Sequence, residues 1–331
     1  GGERQTELLI RALAAMGYSQ RFIGRKGAPL SQRLSDCPKL DRVEVRFPYF
    51  HGMFSARGVD LIQVHEPKGG ILAYLAHQFM GIPYVLTRRT FAPPKISWKN
   101  RQIYQEASAV VAVSAMISQI LTERTLRAKT EICPDALSSL PVELEKVQEI
   151  RNRFPDRFLI GHAAAFVPNK GQLVLIEAMR SLAGTLPELH LVLLGKGPDE
   201  ARLKEAAQGL CNVSFEGHVE NLGDYFTALD LYIHPSLQEG LGSVILDAMH
   251  AGLPVIASRA GGIPEIVKDR QNGLLVEAGN PQAIADAILL LYEDEHLRGL
   301  IGKRAEKYTR DFTPEMMARN YEEIYRSIHL D

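Results

Sequence analysis

Two acidic residues around a glycine-rich turn are the first candidates for chemistry in this chain. Glu239 lies in the segment HPSLQEGLGS, and Asp247 follows eight residues later, within a helix predicted to begin near Ser243. Such a turn directs backbone N–H groups toward an anion such as a phosphate, whereas carboxylates accept hydrogen bonds from hydroxyl groups. The combination predicts a ligand that joins a sugar to a phosphate. A glycine turn with solvated acids is the alternative interpretation.

A lysine is the second candidate. Lys170 lies in the segment AAAFVPNKGQ, after one predicted strand and before a predicted helix. An ammonium group at this edge of a sheet can neutralise a diphosphate, and a solvated loop lysine is the alternative. The sequence has no Asp-x-Asp motif in a predicted loop and no grouping typical of a catalytic nucleophile. We therefore predict no metal site and no cofactor.

The composition is typical of a globular protein with about two domains. The chain has 331 residues, of which 46% are hydrophobic and 23% are charged. Three cysteines lie far apart, which excludes a disulfide framework and fits a reducing cytosol. No apolar run approaches the roughly 18 residues of a membrane-spanning helix, and no leader segment is recognised. We expect a cytoplasmic protein.

The charge is unevenly distributed along the chain. Residues 1–155 carry 22 Lys and Arg against 14 Asp and Glu, while residues 156–331 carry 16 against 25. The first part is therefore expected to attract anionic partners, unless the difference is ordinary surface variation.

Short apolar runs alternate with helical stretches throughout. Strands are predicted at 20–24, 43–47, 60–65, 83–87, 109–114, 158–164, 190–195, 212–217, 230–235 and 254–258. Uninterrupted apolar strands between helices indicate parallel βαβ units with both sheet faces covered. The predicted fold class is α/β, with two doubly wound halves facing each other across a ligand cleft.

A polar segment at 143–157 marks the predicted boundary between the two halves. Residues 1–140 are expected to form one domain and residues 141–311 the other. The segment 312–331 has apolar residues at helical spacing and is expected to pack back on the first domain. No strand precedes the first predicted helix, so we expect the first strand of that domain to be missing from this sequence.

The second half resembles the donor-binding domain of the retaining glycosyltransferases of family 4. The matching motifs, in the family's order, are VPNKG, LLGKGPD, FEGHVENL, DLYIHPSLQEGLG, LDAMHAGLPVIAS, GGIPEIV and NGLLV. The opening GGER is similar to the glycine loop that follows the first strand of that family. The resemblance implies the GT-B fold, with two Rossmann-like domains, and sugar transfer with retention of configuration.

The resemblance also implies roles for individual residues. Glu239 would hold the hydroxyl groups of the donor sugar, and Lys170 would pair with the donor diphosphate, which makes both catalytic. Asp247 matches a ribose-binding acid. Further donor contacts are implied for Gly1, Gly2, Gly195, His218, Val219, Gly240, Leu241 and Gly242.

The chain departs from the family pattern at several positions. Ala165 replaces a usual arginine, Asp247 replaces a glutamate, and Arg88-Arg89 occupy the region of a frequent histidine. Arginine binds phosphate or carboxylate bidentately, so His65, Arg88 and Arg89 are predicted to bind the acceptor. For the arginine pair, a role in surface solubility and replacement of the cation missing at Ala165 are the alternatives. Nearby basic residues around Trp98 suit an anionic membrane surface or a phosphorylated glycolipid; they are Lys95, Lys99 and Arg101.

The predicted function is a metal-independent, retaining glycosyltransferase of the hexosyltransferase type. It would move a sugar from a nucleotide-diphosphate sugar to a glycan or glycolipid, in lipopolysaccharide or surface polysaccharide biosynthesis at the inner face of the cytoplasmic membrane. Nucleic acid is not an expected partner, because no binding motif is present and the isoelectric point is about 6.9. A nucleotide-sugar 2-epimerase of the same fold and a non-catalytic nucleotide-sugar-binding module are the alternatives.

Overall fold

The computed structural model describes residues 2–46, 50–95, 97–125 and 130–328. The chain divides into two compact units: Gly1–Ser138 with Phe312–Asp331, and Ser139–Asp311. The predicted domains were 1–140 with 312–331, and 141–311. In the part of the chain that the structure describes, no helix combines the length and the apolar character needed to span a membrane.

The first unit contains short parallel strands and helices in alternation. Its strands are β1 (Gln20–Arg25), β2 (Leu40–Val45), β3 (Ile62–Val64), β4 (Tyr84–Arg88), β5 (Ala109–Ala112) and β6 (Thr130–Ile132). Its first helices are α1 (Gly2–Ala15), α2 (Pro29–Arg33), α3 (Phe50–Ser55), α4 (Gly69–Met80), α5 (Trp98–Gln105) and α6 (Ala115–Thr125). The strand predicted at 43–47 is observed at Leu40–Val45, and its last predicted residue lies outside the described residues.

The strands of the first unit form two separate parallel sheets. One has the order β3-β4-β5-β6, and the other consists of β1 and β2. Within the described residues, β1 and β3 each have one edge without a strand partner. A cavity of about 2050 Å³ is lined by residues of α1, β1 and β3. The missing first strand remains a prediction.

The second unit contains a six-stranded parallel sheet. Its strands are β7 (Phe158–Ala163), β8 (Leu189–Leu194), β9 (Val213–Gly217), β10 (Leu231–His234), β11 (Val255–Ser258) and β12 (Leu274–Val276). They are arranged in the order β9-β8-β7-β10-β11-β12. Along the chain, β8 and β9 are added on one side of β7, and β10, β11 and β12 are then added on the other side of β7. This order places a topological switch point between β7 and β10, where open α/β sheets bind ligands.

Helices cover both faces of this sheet, which explains its uninterrupted apolar strands. They are α7 (Leu144–Asn152), α8 (Gln172–Leu182), α9 (Glu200–Ala206), α10 (Leu222–Ala228), α11 (Ser243–His250), α12 (Ile263–Ile266), α13 (Pro281–Glu293) and α14 (Glu295–Tyr308). Leu175 of α8 and Ile288 of α13 are fully buried in one core with Leu191, Ile233 and Ile256 of the strands. The predicted doubly wound architecture is confirmed for this unit.

The terminal helix α15 (Pro314–Ile328) packs against α1 in the first unit. Its buried residues Met317, Tyr321 and Ile324 share a hydrophobic cluster with Leu9 and Leu13 of α1. The apolar face recognised in the sequence is therefore covered by α1 and by strands β4 and β5, which are close in space although they lie far from α15 along the chain.

Candidate functional site

Lys170 is positioned by the loop that follows β7. A 3₁₀ turn at Pro168–Lys170 leads into α8 through Gly171, which has a φ of +71°. A Cβ atom at Gly171 would lie 2.0 Å from the carbonyl oxygen of Pro235. Only glycine allows this approach, so the loop after β7 packs directly on the loop after β10. The backbone N–H of Leu237 also donates to the carbonyl of Asn169 at 2.8 Å.

Glu239 lies in the loop between β10 and α11, and a second loop supports it. Gly261, which follows β11, has a φ of +56°, and a Cβ atom there would lie 1.9 Å from the carbonyl oxygen of Glu239. The N–H of Gly262 donates to the same oxygen at 3.3 Å. The backbone of Glu239 is therefore held by the loop after β11, while Gly242 (φ +87°) starts α11 on its other side.

The two loops bring Lys170 and Glu239 into direct contact. The Lys170 Nζ atom lies 2.5 Å from Glu239 Oε2. The same oxygen lies 3.0 Å from His234 Nε2 and 3.3 Å from the Ser236 hydroxyl, and Oε1 accepts from the N–H of Gly240 at 3.2 Å. The side chains of Lys170 and Glu239 are 21% and 14% exposed. Both groups therefore lie at the surface of the sheet edge rather than in the core.

The electrostatics of this cluster keep the carboxylate ionised. Burial raises the pKa of Glu239, but the hydrogen bond from His234 and the positive charge of Lys170 lower it more, so the net pKa lies well below its ordinary value. Burial and the Lys170 charge lower the pKa of His234, against the opposing effect of Glu239. At neutral pH the site therefore holds an ionised carboxylate beside a neutral imidazole.

The other predicted donor residues of the second unit lie at the same edge of its sheet. Gly195 follows β8 and donates its N–H to the carbonyl of Gly217 at 2.7 Å. A Cβ atom on Gly195 would lie 1.9 Å from the carbonyl oxygen of Ala164, which brings the ends of β7 and β8 close together. His218, which is exposed, and Val219, which is half-buried, come directly after β9.

The segment before α11 places backbone N–H groups near Glu239. Gly240, Leu241 and Gly242 are buried and immediately precede the helix, which starts at Ser243 as the spacing predicted. Asp247 is partly buried in the second turn of α11. The start of a helix attracts anions because its first N–H groups are unpaired and its dipole is positive there.

In the first unit, a second polar cluster lies near the ends of β3 and β4. The Arg89 guanidinium forms an ion pair with Asp135 at 2.9 Å and lies 3.4 Å from His65 Nδ1. Its side chain is 10% exposed. Burial and the Arg89 charge lower the pKa of His65 to about 3. Gly2 lies beside Arg89, and Gly1 is outside the described residues.

This cluster bears on the interpretation of the arginine pair, and acceptor binding by that pair stays a prediction. Arg89 has its charge balanced by Asp135, a residue that sequence reasoning missed. Asp135 follows β6 by three residues, but β6 was not among the strands predicted from the sequence, so this position gave no signal. The Arg88 side chain donates to the carbonyl of Ala92.

The geometry of the second unit suits a ligand with both anionic and hydroxyl groups. An ammonium group and the N–H groups at a helix start bind phosphate oxygens. An ionised carboxylate beside them accepts hydrogen bonds from hydroxyls. His234 joins this arrangement although sequence reasoning gave it no role. Its signal was a polar residue at the end of an otherwise apolar strand, directly before the glycine turn.

Comparison with known families gives matches over most of the chain. Residues 145–308 match the family described as glycosyl transferases group 1, and residues 1–135 match the glycosyl transferase 4-like domain. The lipopolysaccharide core biosynthesis glycosyltransferase LpsE of Rhizobium meliloti is 32% identical over 342 residues. That match covers 99% of this chain and 96% of LpsE.

Two further similarities are more distant. Sulfoquinovosyl transferase SQD2 of Arabidopsis thaliana is 27% identical, over 89% of this chain and 61% of its own length. Among solved structures, Anabaena HepE in complex with UDP and glucose has a TM-score of 0.86 at 22% identity, covering 99% of this chain and 96% of HepE. This likeness confirms the predicted GT-B fold.

Proposed function

Because this chain belongs to the glycosyl transferases of group 1, we propose that it is a retaining, metal-independent enzyme that moves a sugar from a nucleotide-diphosphate sugar to a glycan or glycolipid. The observation that carries the proposal is the contact between Lys170 and Glu239 at the switch point of the second unit. A cation for the diphosphate and a carboxylate for the sugar stand next to each other there. HepE, which has the same fold, was solved with UDP and glucose, and this supports a nucleotide-sugar donor.

In this proposal the donor lies along the edge of the second unit's sheet. Lys170 pairs with the diphosphate, and the N–H groups of Gly240 to Gly242 approach the phosphate and sugar. Glu239 accepts hydrogen bonds from the sugar hydroxyls, and Asp247 from the ribose. The nucleobase lies near Gly195, His218 and Val219, which the strand ends bring to the same edge.

The proposed chemistry is a front-face substitution. The bond between the anomeric carbon and the leaving phosphate oxygen breaks, and the acceptor hydroxyl oxygen bonds to the same face of that carbon. The acceptor proton passes to the leaving phosphate oxygen. Lys170 and the backbone dipoles stabilise the negative charge that develops on the diphosphate. Positive charge from the protein takes the place of a divalent ion in this scheme.

The first unit is proposed to bind the acceptor. His65, Arg88 and Arg89 remain the candidate contacts, with Arg89 held in place by Asp135. The likeness to LpsE over nearly the whole chain supports a lipopolysaccharide or related surface-glycan acceptor. Such an acceptor is membrane-bound, and Trp98 is 76% exposed at the start of α5 beside Lys99. We propose that this face contacts an anionic membrane at its cytoplasmic side.

The test is a product assay with matched variants. The purified protein is incubated with UDP-, GDP- and ADP-sugars, with and without truncated lipopolysaccharide acceptors, and products are identified by mass spectrometry. NMR coupling at the new anomeric centre gives its configuration. We expect a glycoside with retained configuration, made equally well in EDTA, and lost in Glu239→Gln but not in Glu205→Gln, which removes an exposed acid on α9.

Other products would contradict the proposal. A changed donor sugar without acceptor would indicate an epimerase. Donor binding without any product, across all donors and acceptors tried, would indicate a non-catalytic binding module. Activity that EDTA abolishes and Mg²⁺ or Mn²⁺ restores would refute metal independence alone.

A further inference from the structure

A buried hydrogen-bond chain leads from the interior of the second unit to Glu239. His234, the last residue of β10, is fully buried. Its Nε2 atom lies 3.0 Å from Glu239 Oε2, and its Nδ1 atom lies 3.2 Å from the hydroxyl of Tyr232, which is also fully buried. The Ser236 hydroxyl also lies 3.0 Å from Nε2. Both ring nitrogens therefore have partners, and one of these partners is the carboxylate of the candidate site.

The chemistry of the partners assigns the protons in this chain. An ionised carboxylate only accepts hydrogen bonds, so His234 Nε2 must carry a proton. A neutral imidazole then has Nδ1 as an acceptor. The Tyr232 hydroxyl lies 3.2 Å from Nδ1 and 3.3 Å from the carbonyl oxygen of Ala163, so its single proton is shared between these two acceptors. Burial raises the pKa of Tyr232, which keeps that hydroxyl protonated. The result is a directed chain from Tyr232 through His234 to Glu239.

Because Glu239 is paired with Lys170, the hydrogen-bond chain through His234 becomes necessary when a donor binds. In the structure, Lys170 is the shortest contact of Glu239 Oε2. A diphosphate that pairs with Lys170 competes with the carboxylate for the same ammonium group. The other donors to Glu239 are His234, the Ser236 hydroxyl and the N–H of Gly240. Of these, His234 is the side chain that the strand itself fixes in place.

We propose that His234 is a positioning residue for sugar transfer: backed by Tyr232, it holds Glu239 in the orientation that meets the donor sugar while Lys170 is engaged by the diphosphate. This inference rests on the proposed function. It predicts that His234 affects turnover through the direction of one hydrogen bond, and that it does so without touching the donor.

Two amides of similar size test this role. The Nε2 atom of glutamine is separated from Cβ by the same number of bonds as His234 Nε2, whereas the amide nitrogen of asparagine reaches only the position of Nδ1. We expect His234→Asn to lower kcat roughly 10- to 100-fold, the usual range for one hydrogen bond to a charged group. His234→Gln should restore kcat to within about 5-fold of the wild type. The Michaelis constant for the donor should change less than about 3-fold in both.

His162 is the matched control, because it is equally buried on the neighbouring strand β7. Its Nδ1 atom lies 2.9 Å from the carbonyl of Ile233, and its ring centroid lies 5.8 Å from that of His234. Asparagine preserves the Nδ1 donor there, so His162→Asn should leave kcat within about 3-fold of the wild type. Equal losses of kcat in His162→Asn and His234→Asn would assign the effect to general packing and overturn the proposal. No recovery in a folded His234→Gln variant would also overturn it.

A measurement on the unmodified protein separates this inference from the proposed function. The ¹⁵N resonances of the imidazole rings report which nitrogen carries the proton. We expect His234 to be neutral and protonated at Nε2, both alone and with saturating UDP. Protonation at Nδ1, or loss of the Nε2 hydrogen bond when UDP binds, would overturn the positioning role. If no sugar transfer is found with any donor, the proposed function fails, whereas the imidazole spectrum still reports the His234–Glu239 hydrogen bond.

Discussion

Replacing Glu239 with glutamine should separate sugar transfer from nucleotide binding. Glu239→Gln preserves the size of the side chain and removes its charge. The carboxylate is the charged acceptor proposed for the donor hydroxyls, and it is already oriented by Lys170 at 2.5 Å and His234 at 3.0 Å. Hydrogen bonds to a charged group contribute about 1.5–3 kcal/mol each, and about 2.7 kcal/mol corresponds to roughly 100-fold in rate. We therefore expect kcat to fall about 100-fold.

Whereas kcat should fall in Glu239→Gln, the affinity of this variant for UDP should rise or stay unchanged. In the proposed mode of binding, the Glu239 carboxylate of the wild type competes with the diphosphate for Lys170. A neutral amide competes less, so UDP should bind Glu239→Gln with equal affinity or up to about 10-fold more tightly, a gain of about 1.4 kcal/mol. Calorimetric titration with UDP and a turnover assay with the intact donor measure the two effects on the same protein.

A control and a stability measurement complete the experiment. Glu205→Gln, on the exposed surface of α9, should change neither kcat nor UDP affinity. Urea unfolding shows whether Glu239→Gln is still folded under the assay conditions. If UDP affinity falls as steeply as kcat, then Glu239 maintains the nucleotide site or its loop, and the assignment of the carboxylate to the sugar is wrong.

Three other perturbations have defined outcomes. Lys170→Met should weaken UDP binding at least about 10-fold and uridine binding much less. Equal losses of affinity for UDP and uridine in calorimetry would show that Lys170 does not contact the diphosphate. Gly261→Ala would force a Cβ atom to within 1.9 Å of the Glu239 carbonyl oxygen and should lower kcat at least about 10-fold. Its control, Gly252→Ala, has a similar φ of +76° but open space around the new Cβ atom, so it should cost only backbone strain of about 1–2 kcal/mol. Similar kcat values for the two variants would refute this reasoning. Burial and the neighbouring His234 lower the pKa of His162 to about 3. The free energy of unfolding should therefore fall as the pH drops below 6.5, because the unfolded chain then binds a proton that the folded state does not bind. At pH 5 this amounts to about 2 kcal/mol in urea unfolding, and His162→Asn should show a correspondingly weaker pH dependence.

The alternation of apolar strands and helices was enough to predict parallel α/β units, because uninterrupted apolar strands are stable only when helices cover both faces of a sheet. Helix α11, which was predicted to begin near Ser243, begins at that residue. The three-residue strands β6 and β12 were not predicted. A run of three residues has too little periodicity to be distinguished from a loop; β3, which is equally short, was predicted only as part of the longer run at 60–65.

The sequence also located the candidate segments of the site without showing how they contact each other. Lys170 and Glu239 were each recognised as the polar residue of a turn between a strand and a helix. Their direct contact depends on β7 lying next to β10, a neighbour relation that skips two strands of the chain. The partner of Arg89 was hidden for the same reason, since Asp135 lies 46 residues away.

The sequence by itself thus determined the fold class, the family resemblance and the candidate residues. It did so through residue types, glycine turns and the order of motifs, which are local features of consecutive residues. Tertiary structure decided which of those residues touch. Strand order brought Lys170 to Glu239 across 69 residues, and the absence of a Cβ at Gly171 and Gly261 allowed three loops to close around the carboxylate. The role proposed for His234 depends on tertiary structure alone, since the direction of its hydrogen bonds is set by partners that the folded sheet places 3.0–3.2 Å away.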